Sequence, residues 1–377
     1  MNIRLIAAGE EKVCNDFHNN YWGRSRTLDQ WRWEFDPILY QSSEIPFAVA
    51  EDEGRIVGTQ ALIPIRMIDE GGVFWTAKSE ETLVDSDYRG RQLGVHMYNV
   101  VFDWAARHNM PYIWGFTQAT RALTRVNFEL PATTSQLFLP FSMRSIEVLM
   151  GGKTSESKTG LARKIKTSAL RAGCSLARLM SASKLSFTSR AARRLAAGDG
   201  IAIRTLDAAP EGAGEVCRRF VEQWGGKTIY RDTDYLRWRL FDNPHRKAVF
   251  HAAFDGDNLV GWTAVTMNDD SMAHLVDVIT APVSTDRRRA EETARALLVE
   301  TVRSARNMGA LGIRGWHVND HPFDKLVMRA ARKIGFYHIK RGYAMVLYRV
   351  PDIAEPRPKD REDDWYVTRI YTDGVFG

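Results

Sequence analysis

Two arginines and two glycines lie close together near residue 90, in a segment that could hold a phosphate. It reads Arg89-Gly90-Arg91-Gln92-Leu93-Gly94 and follows a strand-like run that ends at Val84. Glycine lets a backbone approach a ligand closely. The start of a helix directs N–H groups and a positive dipole at one point, and arginine adds charge-assisted hydrogen bonds. We therefore predict a pyrophosphate-binding turn. Neither a Gly-Lys-Ser/Thr ending nor Gly-x-Gly-x-x-Gly is present, which excludes the Walker loop and the dinucleotide fingerprint.

The elements around this turn predict a mixed α/β unit. Phe74 to Val84 is expected to be extended and Leu93 to Arg107 helical, because its apolar residues share one face. Pro111 to Phe116 is predicted as a short strand and Ala119 to Phe128 as a second helix. The turn is thus expected to connect a strand directly to an amphipathic helix.

The second half of the chain repeats this organisation, which indicates a duplicated domain. Asp29 to Pro37 is echoed by Asp234 to Pro244, and Val49 to Gly58 by Ala252 to Gly261. The later elements also recur in order: His274 to Thr280 extended, Arg289 to Met308 helical, Gly312 to His317 extended, Phe323 to Ile334 helical and Tyr343 to Tyr348 extended. Tryptophans recur at equivalent places (Trp31, Trp33 and Trp238), which favours a packing role.

The turn and its flanking elements resemble the GCN5-related N-acetyltransferase (GNAT) superfamily. The coenzyme A loop of that family runs Arg/Gln-x-x-Gly-x-Gly/Ala between strand and helix. Arg89 and Gly94 match it, whereas Gln92 stands where the family usually has glycine, and Asn127 replaces a glycine near Phe128. The resemblance implies an acyl-CoA donor, acetyl-CoA or longer, and these binding residues: Leu83, Val84, Arg89, Gly90, Arg91, Gln92, Leu93, Gly94 and Val95.

The fold expected from this resemblance is α/β, of the α+β type, with two tandem GNAT-like domains that have mixed sheets. The first domain covers 1–150 and carries the loop, a basic helical connector covers 151–198, and a degenerate domain covers 199–350, with a tail at 351–377. In the second domain, Asp286 to Glu292 replaces the loop and has no glycine, while Glu291 and Glu292 would repel phosphate. We predict that only the first copy binds coenzyme A.

Two glutamates on the strand before the loop are the predicted catalytic residues. In the family, the pantetheine arm pairs with this strand, here about Thr82 to Val84, and a backbone N–H polarises the thioester carbonyl. An acceptor amine is protonated near pH 7, so a base is needed. Glu80 and Glu81 lie on the strand, and alternation would turn one of them to the cleft. The alternative is a solvent-facing charge. For the acid that protonates the leaving thiolate, Tyr98 and Tyr343 are both candidates.

Five residues at the ends of two equivalent strands are predicted to contact the acceptor. They are Thr117, Gln118 and Arg121 in the first copy and His317 and Asp320 in the second. The stretch from His317 to His321 has a spacing that could suit a metal, but no third ligand set accompanies it. We therefore predict an acceptor pocket without a metal.

The resemblance implies transfer of the acyl group to a primary amine by direct attack on the thioester. Tandem members with a Trp-rich helix and a C-terminal Asp-Trp-Tyr, here 364–366, resemble N-acyltransferases of bacterial surface-polysaccharide pathways, whose acceptors are nucleotide-linked amino sugars. Such a small-molecule acceptor is the expectation. Two alternatives stay open: a Fem-like peptidyl transferase that uses aminoacyl-tRNA, and a non-catalytic GNAT-like binding module.

Charge is concentrated in one segment. The net charge is +6, yet residues 151–198 hold eleven Lys or Arg against one acidic residue, so the remainder is net negative. This disfavours nucleic-acid binding as the main task. Residues 152–195 are expected to form either a solvated basic helix or a weak contact with an anionic membrane surface.

The cysteine pattern and hydropathy predict a cytoplasmic protein. No apolar run approaches the ~18 residues of a membrane span, and no secretion-type apolar core follows the start. Cys14, Cys174 and Cys217 form no paired pattern, so each is expected to be a buried or inert thiol.

Overall fold

The computed structural model describes residues 1–36, 39–149, 200–282, 286–318, 320–340, 342–354 and 360–372. The elements of the first copy are β1 (Asn2–Leu5), α1 (Glu11–Trp22), α2 (Leu28–Phe35), β2 (Phe47–Asp52), β3 (Arg55–Asp69), β4 (Gly72–Val84), α3 (Leu93–Arg107), β5 (Tyr112–Thr117), α4 (Thr120–Thr124), β6 (Glu129–Pro140) and α5 (Met143–Leu149). The predicted connector at 151–198 lies outside these described residues, as does Cys174.

The second copy repeats the order of the first. Its elements are β7 (Ile201–Leu206), α6 (Ala213–Trp224), β8 (Thr228–Ile229), α7 (Thr233–Leu236), β9 (Ala248–Asp255), β10 (Asn258–Met267), β11 (Ala273–Thr280), α8 (Arg287–Asn307), β12 (Gly312–Val318), α9 (Pro322–Lys333), β13 (Tyr337–Ile339) and β14 (Ala344–Arg349). A short π-helix follows α7 at Arg237–Phe241. The predicted α/β class and tandem architecture are confirmed.

One predicted helix is much shorter than expected. The sequence predicts helix from Ala119 to Phe128, but α4 covers only Thr120–Thr124. The chain turns because Asn127 adopts a left-handed conformation, with φ of 64°. This turn places Phe128 in the core beside Tyr98, with ring centroids 5.5 Å apart.

The two copies share a mixed sheet of fourteen strands and exchange strands within it. Twelve strands run in the order β1-β2-β3-β4-β5-β14-β6-β12-β11-β10-β9-β7, and β13 and β8 pair with β6 and β3. Strand β14 of the second copy lies between β5 and β6 of the first. The carboxyl-terminal part of β6 lies in turn between β12 and β13. Each copy therefore completes the sheet of the other.

Two equivalent tryptophans meet between the copies. The Trp33 indole N–H donates to the Trp238 carbonyl at 3.0 Å, and the Trp238 indole N–H donates to the Trp33 carbonyl at 3.0 Å. Both side chains are buried. This reciprocal pairing confirms the packing role predicted for the recurring tryptophans, because each buried indole N–H finds a partner.

Two hydrophobic cores flank the sheet of the first copy. One lies under α3 and includes Met97, Tyr98 and Val101. The other contains residues of both copies, together with Trp365 and Tyr371 near the end of the chain. The described part of the chain contains no helix that is long and apolar enough to cross a membrane.

Candidate active site

The predicted pyrophosphate turn connects β4 to α3 and leaves the start of α3 open. A short 3₁₀ turn at Ser86–Tyr88 leads into Gly90, whose φ is 81°, and Gln92, whose φ is 59°. Gln92 thus takes the left-handed conformation that glycine adopts most readily. It is the residue before α3, and no side chain caps the helix there. The first amide groups of α3 therefore remain available to an anion.

Gly94 lies in the first turn of α3 and is not required by the fold. A Cβ atom added there would meet no heavy atom within 4 Å, and its φ is not left-handed. A helical glycine costs about 1 kcal/mol relative to alanine. The physical reason that remains for a glycine is close approach of a ligand to the helix backbone.

Both arginines of the turn are exposed, and aromatic rings lie next to them. The Arg91 guanidinium lies 4.7 Å from the centroid of the Tyr88 ring, and the Tyr88 hydroxyl donates to Asp52 at 2.9 Å. The Arg89 guanidinium donates to the hydroxyl of Tyr21 at the end of α1. The turn therefore presents two exposed cationic side chains, each in contact with a tyrosine.

Strands β4 and β5 separate next to this turn. They are paired in parallel only at Ala77 with Ile113 and at Lys78 with Trp114. Beyond these pairs, residues 79–84 and 115–117 form no ladder with each other in the described structure. The separation opens a cleft along β4 that leads to the start of α3, where the resemblance expects the pantetheine arm.

Four polar side chains connect to one another at the base of this cleft. The Tyr98 hydroxyl lies 3.0 Å from the Ser79 hydroxyl and 3.1 Å from the Thr82 hydroxyl. The Gln60 amide donates to Ser79 at 3.0 Å and accepts from Thr82. Burial raises the pKa of Tyr98, against the opposing effect of its two hydroxyl partners. Tyr98 therefore lies beside the cleft as a neutral hydroxyl.

Glu81 occupies a bulge in β4 and forms an ion-pair network. The register against β3 shifts here, and Glu81 has a φ of 54°. One of its carboxylate oxygens lies 2.6 Å from His18 Nδ1, and the other accepts from Arg26 at 3.2 Å. Burial alone would raise the pKa of Glu81, but His18 and Arg26 outweigh it and lower the pKa to about 2. Glu81 is therefore ionised across the physiological range.

The network continues from Arg26 to the second copy. Arg26 donates to Glu34 at 2.7 Å, and the other oxygen of Glu34 lies 2.7 Å from His245 Nε2. All four side chains from Glu81 to His245 are buried or nearly so. A chain of acidic and basic side chains thus connects the bulge in β4 with the second copy.

The bulge also changes which way the two predicted catalytic residues face. Strict alternation predicts that Glu80 and Glu81 lie on opposite faces of β4, but the bulge interrupts this alternation, since Ser79 and Thr82, three residues apart, both contact Tyr98. Glu80 pairs with buried Lys78, two residues earlier on the same face, while the bulge turns Glu81 towards His18 and Arg26 of the α1 region. Their assignment as bases stays a prediction.

The predicted acceptor residues lie at or after the ends of β5 and β12, two strands that β14 and β6 separate in the sheet. Thr117 pairs with Ala344, which pairs with Thr133, and the adjoining Thr134 pairs with Val318 of β12. The ends of β5 and β12 therefore lie in adjacent rows of the sheet. Gln118 and Arg121 are exposed after β5.

His317 and Asp320 are placed differently from each other. His317 is buried, with Nδ1 3.4 Å from Asp324, and its ring lies 5.2 Å from that of His338. Asp320 is exposed and lies 3.6 Å from Lys325. His317 thus faces the interior of the second copy, and its contact with an acceptor, like that of Asp320, stays a prediction.

The predicted inert thiols are confirmed where the structure describes them. Cys14 and Cys217 are buried and free, and burial raises the pKa of each to about 12. The sequence analysis missed His18 and Arg26, which reach Glu81 from more than fifty residues away. No local motif marks either residue.

Residues 13–128 match the family model described as the Acetyltransferase (GNAT) family. This part of the chain is therefore similar to GNAT domains. The match spans the loop, the bulge and the separated strands, so it includes the whole of the candidate donor site. No curated protein matches the chain.

Solved structures share the fold of most of the chain at low identity. A GCN5-related N-acetyltransferase from Anabaena variabilis is 10% identical with a TM-score of 0.59, over 93% of this chain and 72% of that one. A tandem GNAT protein from the clavulanic acid biosynthesis pathway is 11% identical with a TM-score of 0.52, over 93% and 98%. Saccharomyces cerevisiae N-myristoyltransferase with bound myristoyl-CoA is 10% identical with a TM-score of 0.52, over 86% and 74%.

Proposed function

We propose that the protein transfers an acyl group from acyl-CoA to a primary amine and binds the donor in its first copy alone. The observation that carries this proposal is the difference between the starts of α3 and α8. The start of α3 has no side-chain cap, and two exposed arginines and Gly94 surround it. Such a helix start can receive the pyrophosphate of coenzyme A.

The equivalent helix start in the second copy is already occupied by acidic groups of the chain. The Asp286 carboxylate caps α8 by accepting from the Arg288 N–H at 2.8 Å. Glu291 follows in the next turn and pairs with Lys333. A phosphate at the start of α8 would displace the Asp286 carboxylate and lie near the Glu291 carboxylate. Charge repulsion and the missing glycine therefore both disfavour its binding.

The cleft of the second copy is also filled. Strands β11 and β12 pair only up to Leu275 and Gly315. Beyond that point, the Tyr366 hydroxyl donates to the Val278 carbonyl on β11, and the Arg369 guanidinium lies 5.3 Å from the Trp316 ring on β12. The segment from Tyr366 to Arg369 thus lies where a second pantetheine arm would have to lie.

The proposed reaction is direct aminolysis of the thioester. The amine nitrogen bonds to the carbonyl carbon and the C–S bond breaks. The amine loses one proton, and the leaving thiolate gains one. A backbone N–H near Thr82 to Val84 would stabilise the developing oxyanion. With a pKa of about 2, Glu81 is a weak proton acceptor, so we favour Glu80 as the base and Glu81 as the carboxylate that holds the bulge.

The acceptor that we propose is the amino group of a nucleotide-linked amino sugar. The ends of β5 and β12 would line its site, and exposed Arg121 could pair with a diphosphate. The tandem architecture supports this assignment, which comes from the family resemblance. A panel of amines that includes nucleotide-linked amino sugars, simple amino sugars and polyamines would compare it with other acceptors.

Release of free thiol from acetyl-CoA in the presence of that panel tests the function. We expect Arg91→Glu to lower kcat/KM at least tenfold, because it reverses a charge beside the pyrophosphate. Arg288→Glu is the matched control, since it makes the same change at the equivalent exposed position of the second copy. Equal losses in both variants, or no thiol release with any amine, would contradict the proposal.

Two further substitutions separate the roles of the glutamates. Glu80→Gln is expected to lower kcat about 100-fold with little change in KM for acetyl-CoA, as for loss of a general base. Activity within a few-fold of the unaltered chain in Glu80→Gln would remove Glu80 from the mechanism. A loss confined to Glu81→Gln would return the base to Glu81.

A further inference from the structure

Trp22, the last residue of α1, is unusual in its exposure. The chain has eleven tryptophans, all within described residues, and Trp22 alone is exposed, with 55% of its surface accessible. Neighbouring Tyr21 is also exposed, and the two rings lie 4.9 Å apart in an edge-to-face arrangement. Exposed adjacent aromatic side chains are a common feature of ligand-stacking surfaces.

This aromatic pair lies beside the candidate pyrophosphate turn. The Arg89 guanidinium donates to the Tyr21 hydroxyl, which connects the end of α1 directly to the turn. Gly23 ends α1 with a φ of 62°, and the chain reverses so that the Arg24 guanidinium lies 5.8 Å from the Trp22 ring. A flat aromatic ring and a cationic group thus lie together next to Tyr21, the residue that contacts the turn.

The charges at this place lack acidic partners. Neither Arg24 nor Arg89 takes part in an ion pair with any residue of the described ranges, and both are exposed. In contrast, Arg26, two residues on, has only 9% of its side chain exposed and pairs with Glu34 and Glu81. The surface that Trp22, Arg24 and Arg89 share is therefore aromatic and positively charged.

We propose that Trp22 and Arg24 form the subsite for the adenosine 3′-phosphate end of coenzyme A. The inference rests on the proposed function, since it extends the donor from the turn at Arg89. The adenine ring would stack on the indole, and Arg24 would contact the 3′-phosphate. A purine with an attached phosphate matches both features, because stacking needs a flat ring and the guanidinium needs an anion.

Calorimetric titration of the full chain with coenzyme A and with 3′-dephospho-coenzyme A tests this subsite. Trp22→Ala is expected to weaken both ligands about tenfold, and Trp22→Phe to restore most of the affinity. Arg24→Ala is expected to weaken coenzyme A about tenfold and to leave the dephospho form unchanged. Val13→Ala is the matched control, because Val13 is an apolar residue on the same helix with 53% of its surface exposed.

The possible outcomes separate this inference from the function on which it rests. Tight binding of coenzyme A by the unaltered chain, with no change in the Trp22 and Arg24 variants, overturns the subsite and leaves the donor site intact. Unchanged affinity for coenzyme A with a raised KM for the amine would assign this surface to the acceptor and also overturn the inference. Absence of coenzyme A binding by the unaltered chain overturns both proposals.

Discussion

Replacement of Glu81 by glutamine tests the ion-pair network that holds the bulge in β4. The substitution keeps the shape of the side chain and removes its charge. Lowering a carboxyl pKa from 4.5 to about 2 corresponds to about 3 kcal/mol of stabilisation by the ionised form. We expect Glu81→Gln to lower the free energy of unfolding by about that amount at pH 7, because His18 and Arg26 lose their shared partner.

The pH dependence gives the sign of the effect. The pKa of Glu81 is lower in the folded than in the unfolded state, so its contribution is complete above pH 4.5 and is lost as the pH falls towards 2. The difference between the unaltered chain and Glu81→Gln should therefore shrink to less than half at pH 3. Urea unfolding at both pH values measures it.

A surface ion pair supplies the control for this measurement. Asp269 pairs with Arg246 at 2.6 Å, but 85% of its side chain is exposed. Exposed pairs contribute at most about 1 kcal/mol, so Asp269→Asn should change stability far less than Glu81→Gln. Equal effects of the two substitutions, or a Glu81→Gln effect that does not depend on pH, would refute the reasoning about the network.

Three other substitutions test individual features of the fold by urea unfolding at pH 7. Gln92→Gly should raise the free energy of unfolding by about 1 kcal/mol, because it relieves a left-handed backbone, and a loss of stability would contradict this. Gly261→Ala should destabilise the protein by about 1–3 kcal/mol more than the equivalent Gly58→Ala. The new Cβ would lie 2.5 Å from a backbone oxygen at Gly261, but 3.0 Å from a flexible methionine side chain at Gly58. A larger loss of stability in Gly58→Ala would be inconsistent with the packing. Asp277→Asn should cost about 3–5 kcal/mol, because Asp277 and Arg231 form a fully buried pair at 3.0 Å, and a change under 1 kcal/mol would argue against that pair.

Features encoded by neighbouring residues were predictable from the sequence. The helix predicted from Leu93 to Arg107 has those limits in the structure, because apolar periodicity and the glycine turn before it are local signals. The duplication was equally predictable, because the repeated tryptophans and acidic turns can be recognised in the sequence without any information about contacts. The position of the candidate pyrophosphate turn followed from the same kind of pattern.

Features that depend on distant residues were not predictable in this way. The exchange of β14 and the end of β6 between the copies is decided by which edge of the sheet each strand meets. The bulge at Glu81 breaks the alternation that strand periodicity assumes. Its partners His18 and Arg26 come from the α1 region, and neither residue type nor spacing connects them to β4.

Filling of the second cleft is another feature without a local signal. In the sequence analysis, Tyr366 and Arg369 are assigned to a tail at 351–377, yet Tyr366 is completely buried. Its hydroxyl needs the Val278 carbonyl, which strand divergence leaves without a ladder partner. Only the folded structure shows that residues near the end of the chain and the second copy supply hydrogen-bond partners for each other.

The number of acyl-CoA molecules bound per chain tests the central claim most directly. Calorimetric titration with acetyl-CoA is expected to show one site per chain, and Gly94→Glu is expected to abolish it without unfolding the protein, because the fold has room for a side chain at Gly94. Two sites per chain, or one site that persists at full affinity in Gly94→Glu, would contradict an account in which the open start of α3 alone holds the donor.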